Sequence, residues 1–120
     1  RSWVYQTEAH RLDIPTQSGW WWYGFPRGLG VRQQWLDRVE FAGVIANGRV
    51  FRGRNGRWVT FLTLGTDYGE YIDVVVHRPV NYRDGDVIIG QGRVRHQNNS
   101  DYIEAGAVES KTFREYTTGH

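Results

Sequence analysis

The chain contains no cysteine and no methionine, only three prolines, and Lys111 as its single lysine. Without cysteine there is neither a disulfide framework nor a thiolate metal site, so the redox setting stays open. No apolar run approaches the ~18 residues of a membrane-spanning helix, and the chain reads as soluble. Alanine and leucine, the favoured helix formers, are scarce, which argues against a helical bundle. His10, His77, His96 and His120 are scattered without HxxxH or HxH spacing, so no metal site is expected. There is no GxSxG, no Walker loop and no His-Glu pair on a helical pattern. Gly28-Leu-Gly30 and Gly90-Gln-Gly92 are only fragments of a dinucleotide fingerprint. No catalytic constellation and no cofactor is therefore expected.

Glycine (15 residues), tyrosine (7) and tryptophan (6) are plentiful, a balance that predicts an all-β domain rich in turns. The 120 residues suffice for one domain with one modest core. Net charge is +2, and nine arginines meet nine acids between Arg38 and Ser110, so bulk charge does not announce a polyanionic partner. Distribution is more informative. The stretch Asn47 to Trp58 carries Arg49, Arg52, Arg54 and Arg57 with no acid, threads Phe51 and Trp58 among them, and is punctuated by Gly48, Gly53 and Gly56. Apolar runs flank it, Val39 to Ala46 and Val59 to Leu64, which predicts an antiparallel hairpin with a basic, aromatic tip. Arginine suits stacking and bidentate phosphate contacts; a lysine-poor chain equally follows from genomic base composition.

Residues 1–35 differ from the rest. Pro15 breaks a weak alternation, and Ser18 to Pro26 is an aromatic run containing Trp20, Trp21 and Trp22. Three consecutive tryptophans cannot share one face of a strand. An extended arm or short strand pair is expected, packed on its own domain, on a second subunit or on a ligand. From Leu36 the pattern is regular. A first strand contains Val39, Phe41, Gly43 and Ile45, with Gly43 marking a bulge or bend. Trp58, Thr60, Leu62 and Leu64 alternate with Val59, Phe61 and Thr63 in a second. Glu70 to His77 is a third, with Ile72, Val74 and Val76 on one face and Tyr71, Asp73, Val75 and His77 on the other. Val87 to Val94 is a fourth, and Tyr102 to Val108 a fifth with Ile103, Ala105 and Ala107 on one face. Residues 111–120 read as a flexible tail.

Three phrases in this order are similar to those of the bacterial single-stranded DNA-binding proteins and their primosomal relatives: Asp37-Arg-Val-Glu-Phe-Ala-Gly-Val44, Glu70-Tyr-Ile-Asp-Val-Val-Val-His77 and Tyr82-Arg-Asp-Gly-Asp-Val-Ile-Ile-Gly-Gln-Gly-Arg-Val94. The resemblance covers about residues 36–110 and is divergent, with Tyr71 where that family usually has tryptophan, His77 where it has an aromatic, and no longer helix between the third and fourth strands. It implies a five-stranded OB-fold Greek-key barrel, all-β, to which the aromatic-rich N-terminal arm of residues 1–35, without a counterpart in that family, would be attached. OB barrels bind on their second and third strands and on the loops joining strands 1 to 2 and 4 to 5.

The implied ligand is single-stranded DNA, or RNA, bound with little sequence preference. Arg49, Arg52, Arg54 and Arg57 would meet phosphates, Phe51, Trp58 and Tyr71 would stack on bases, and Arg93, Arg95 and Tyr102 would frame the far side. Trp58 shares a strand face with Leu62 and Leu64, so both core and groove stay open for it. Asp73 on the Tyr71 face would repel phosphate unless paired. A homo-oligomer or larger nucleoprotein assembly, formed through Trp20, Trp21 and Trp22, is the expected partner besides the nucleic acid. Two other readings stand: an OB-type protein-interaction module without nucleic acid, and an all-β enzyme or carbohydrate-binding domain.

Overall fold

A computed structural model describes residues 28–66, 71–97 and 100–118. Trp20, Trp21 and Trp22 lie outside these residues. Six strands form one sheet: β1 (Gly30–Trp35), β2 (Arg38–Arg52), β3 (Trp58–Gly65), β4 (Tyr71–Val76), β5 (Val87–Gln97) and β6 (Ser100–Lys111), followed by a short helix α1 (Phe113–Thr118). The order is β1-β2-β3-β4-β6-β5, and β5 pairs back onto β2, so the sheet closes on itself. Among the described residues only the β4–β6 pairing is parallel.

Closure works because β2 is long enough to serve two neighbours in turn. Its first half, Arg38 to Val44, pairs with β5, and its second half, Val44 to Arg52, pairs with β3. The strand bends between them. At Gly43 a Cβ would lie 2.6 Å from the Leu64 Cβ, and the register slips between Ile45 and Asn47. The bend expected at Gly43 is thus shared between a close approach there and a bulge three residues on.

The expected alternation of β3 and β4 is present. Leu62, Leu64, Ile72, Val74 and Val76 point inward and join Phe41, Ile45, Ile88, Val94 and Ile103 in the barrel core. Thr60, fully buried, pins the β4–β5 connection beneath the barrel: its hydroxyl donates to the Arg78 carbonyl (2.7 Å) and accepts from the Val80 N–H (3.0 Å). Val80 and Tyr82 then close that end.

Two expectations fail and one is narrowed. Ala107 is exposed, because β6 carries an extra residue opposite Gly90 to Gly92; the phase flips, and Val108 packs inward instead. Residues 30–35, expected within an extended arm or a short strand pair, form β1 on the edge of β2. Residues 113–118, taken as tail, form α1, opened by a capping box in which Thr112 and Glu115 satisfy each other's backbone N–H groups at 3.0 and 2.8 Å. α1 covers the outside of the barrel: Tyr116 joins Leu29, Ala42 and Val87 in a second small cluster, and its hydroxyl donates to the Gly28 carbonyl. Tyr116→Phe would leave that buried carbonyl without this donor. It is expected to cost about 1–2 kcal/mol in a denaturant titration, whereas a fraying tail would show no change.

Candidate nucleic-acid interface

The hairpin expected between Asn47 and Trp58 is a two-stranded ribbon. Its turn is closed by Gly56 N–H to the Gly53 carbonyl (2.9 Å) and Gly53 N–H to the Arg57 carbonyl (2.8 Å), with Gly56 at φ 77°. This is a three-residue hairpin loop in which a left-handed glycine follows a tight turn. Asn55 Oδ1 accepts from the Arg57 N–H at 2.9 Å and braces it. Arg54 and Arg57 stand exposed at the tip.

Directly paired residues share a face, so register sorts the ribbon's side chains. Arg49 pairs with Phe61 and Phe51 with Val59, on the outward face; Arg52 pairs with Trp58 on the face that, further down the strands, becomes the core. Each face carries a stacked arginine. The Arg49 guanidinium lies 5.0 Å from the Phe51 ring centre and 5.9 Å from that of Phe61, and the Arg52 guanidinium lies 4.9 Å from Trp58. Trp58 is 42% exposed although it is in phase with Leu62 and Leu64. The β4 pairing ends at Thr60 opposite Val76, so no barrel lies beneath it.

The outward face continues across the sheet. Arg49 is opposite Phe61, Phe61 opposite Val75, Val75 beside Glu104, and Glu104 opposite Arg93, giving one row over five strands. Tyr71 belongs to the same face at the other end of β4, paired with Gly65; it is 58% exposed, and its ring lies 3.7 Å from where a Gly65 Cβ would stand. Arg95 and Tyr102 are opposite each other at the far side. The structure thus gathers Arg49, Phe51, Tyr71, Arg93, Arg95 and Tyr102 on one face, sets Arg54 and Arg57 at its edge, and puts Arg52 and Trp58 on the other side of the ribbon.

The far side is less basic than its arginines suggest. Glu104 accepts from Arg95 Nε at 3.0 Å and lies 2.8 Å from His77 Nε2. These hydrogen bonds, from His77 and then from Arg95, hold its carboxyl below the usual carboxylate range. Arg93 lies 3.9 Å from Asp37. A concavity of about 880 Å³ borders this end, lined by Gly90, Gly92 and Gly106 and by the charged Arg38, Glu40, Arg93 and Glu109 among others. Its mixed charge and lack of an exposed ring suit bases and phosphates less well than the Arg49 to Tyr71 face.

Asp73 lies on that face between Tyr71 and Val75. Burial raises its carboxyl above the ordinary value, partly offset by the Thr63 hydroxyl, which donates to Oδ1 at 3.3 Å. A folded-state acid with a raised pKa holds more proton than the unfolded chain, so stability falls as pH rises through the window between the two values. Asp73→Asn removes this loss. It is expected to unfold at higher denaturant than the native chain at pH 7 and at the same denaturant near pH ~3; equal midpoints at pH 7 would contradict the assignment.

No protein-family model and no curated protein sequence matches the chain. Solved structures do. The wild-type single-stranded DNA-binding protein of Thermus aquaticus superposes with a TM-score of 0.58 at 21% identity, over 64% of this chain and 41% of that one. A chain of the S. pombe Stn1–Ten1 complex gives 0.54 at 18% identity, over 62% and 58%. The mitochondrial single-stranded DNA-binding protein Rim1 of S. cerevisiae gives 0.52 at 9% identity, over 66% and 99%. The barrel is an OB fold. The chain spans less than two thirds of the first two of these relatives, and at such identities the likeness is one of fold. In OB terms β2 to β6 are the five barrel strands and β1 is an addition. The β2–β3 ribbon is the loop between barrel strands 1 and 2, and the connection from β5 to β6 is the loop between 4 and 5.

Sequence reasoning passed over Phe61, Val75 and Glu104. Phe61 was within reach: it is out of phase with Leu62 and Leu64, the criterion that singled out Tyr71. Val75 and Glu104 matter through cross-strand pairings that no local pattern announces.

Proposed function

We propose that this OB barrel binds single-stranded nucleic acid, DNA by its likeness to the Thermus and yeast proteins, with little sequence preference. The strand would cross the outward face of β2, β3 and β4. Arg49, Arg54 and Arg57 would hold phosphates, and Phe51, Phe61 and Tyr71 would stack on bases, a combination that tolerates any sequence because every base has a π-face. The observation that carries the reading is the outward row of an arginine-stacked aromatic pair continuing over Phe61 toward Tyr71 on the strands that OB domains use for oligonucleotides. A role in replication, recombination or repair belongs to the same proposal.

Titrating fluorescein-labelled oligo-dT and oligo-U by anisotropy tests it. Three phosphate contacts predict a log-log salt slope of about -2.1, at ~0.7 per contact; absence of binding to either at low salt would overturn the proposal. The protein-interaction reading has its own support in Trp35 and Leu36, both prominently exposed at the β1–β2 turn. A concentration-dependent rise in molar mass by sedimentation, with no oligonucleotide bound, would favour it.

A further inference from the structure

Arg52 and Trp58 stand where the proposed strand path does not go. Beyond Thr60 the β2–β3 ribbon has lost its β4 neighbour, and β2 left β5 at Val44, so among the described residues no other strand flanks the segment from Phe51 through Trp58. The outcome is a thin blade with an arginine-stacked aromatic on each side, Arg49 with Phe51 and Arg52 with Trp58. Its edge carries two more arginines, Arg54 and Arg57, and a glycine, Gly56, with open space where a side chain would be.

From this geometry we propose that the blade recognises the junction where a duplex opens into two single strands, one strand passing along each face; the inference rests on the single-strand binding proposed above. A lone strand needs one cationic, aromatic face and leaves Trp58 unused. A closed duplex offers its bases to neither face, because they are stacked within it. Only a junction presents two diverging backbones together with unstacked bases on both sides of a narrow separator. Arg54 and Arg57 are placed at the point of divergence, where the phosphates of the two strands are nearest each other and a cation gains most. Trp58 exchanges one stacking contact for another, so the blade holds an existing junction and does not drive unwinding.

The test compares anisotropy titrations of the full chain with oligo-dT, a blunt duplex, a duplex with one dT arm and a fork with two dT arms. The fork is expected to bind about tenfold tighter than the one-armed duplex, the worth of one stacked base. 2-Aminopurine at the last paired position should keep its fluorescence on binding, whereas at the first unpaired position of each arm it should dim as the base stacks. Trp58→Ala should bring the fork-to-single-arm ratio to about one, Trp58→Phe should restore it, and Arg49→Ala should weaken both substrates with the ratio kept. A ratio of one in the native chain, or a ratio that survives Trp58→Ala, overturns the junction reading while oligo-dT binding stands. Loss of oligo-dT binding itself overturns the underlying function.

Discussion

Changing Phe61 to leucine and Tyr71 to alanine together should weaken oligo-dT binding about hundredfold while leaving its salt slope unchanged. Each ring is worth ~1–3 kcal/mol if it stacks on a base, so two contributions near ~1.4 kcal/mol multiply to that factor. They should add, because Phe61 and the Gly65 beneath Tyr71 are four residues apart on β3, about 13 Å, beyond the range of direct coupling. Leucine keeps the apolar bulk of half-buried Phe61 and removes only its flat face. Arg49 stays supported, since it also stacks on Phe51. The complementary variant, Arg49→Gln with Arg57→Gln, should flatten the slope by about 1.4, two contacts at ~0.7 each. If the aromatic variant flattens the slope, or the arginine variant leaves it intact, the assignment of bases to rings and phosphates to arginines is wrong.

The division between what could and could not be read in advance follows the range of the interaction. Alternation along a strand is local, so the inward Leu62, Leu64, Ile72, Val74 and Val76 and the outward Tyr71 follow from residues within a few positions of each other. Trp58 obeys the same alternation and still escapes burial, because the deciding fact is where β4 stops pairing, opposite Thr60. The same non-local fact separates Arg52 from Arg49, two cations that look equivalent in the stretch Asn47 to Trp58. Ala107 departs from the Ile103 and Ala105 face through a bulge set by β5. The bounds of β1 were not legible because Arg32, Gln33 and Gln34 blur its pattern; Arg32 and Gln34 both bond Glu40 across the pair, at 2.7 and 3.1 Å. α1 spans six residues, too few to declare a helical period, and depends on Tyr116 reaching Gly28, 88 positions away.

Gly92→Ala is expected to cost about 3 kcal/mol in a denaturant titration, at the upper end for overpacking, whereas Gly106→Ala on the facing strand should stay within about 0.5 kcal/mol. The chemical change is the same and the surroundings are opposite. A Cβ on Gly92 would press on the Glu104 carbonyl, lie 2.8 Å from the Ile103 Cγ2 and 2.9 Å from the Ala105 Cα, while one on Gly106 meets nothing within 4 Å. Two of the three obstacles at Gly92 are backbone atoms of β6, which cannot rotate aside, so the β5–β6 pair would have to move apart. That pair is the seam through which β5 returns to β2 and closes the barrel. It is also where Arg93 faces Glu104 at the end of the row that begins at Arg49. The glycine therefore permits the tight coiling that brings residues from five strands into one line. A Gly92→Ala midpoint no lower than that of Gly106→Ala would mean that the seam is looser than the packing around Gly92 requires.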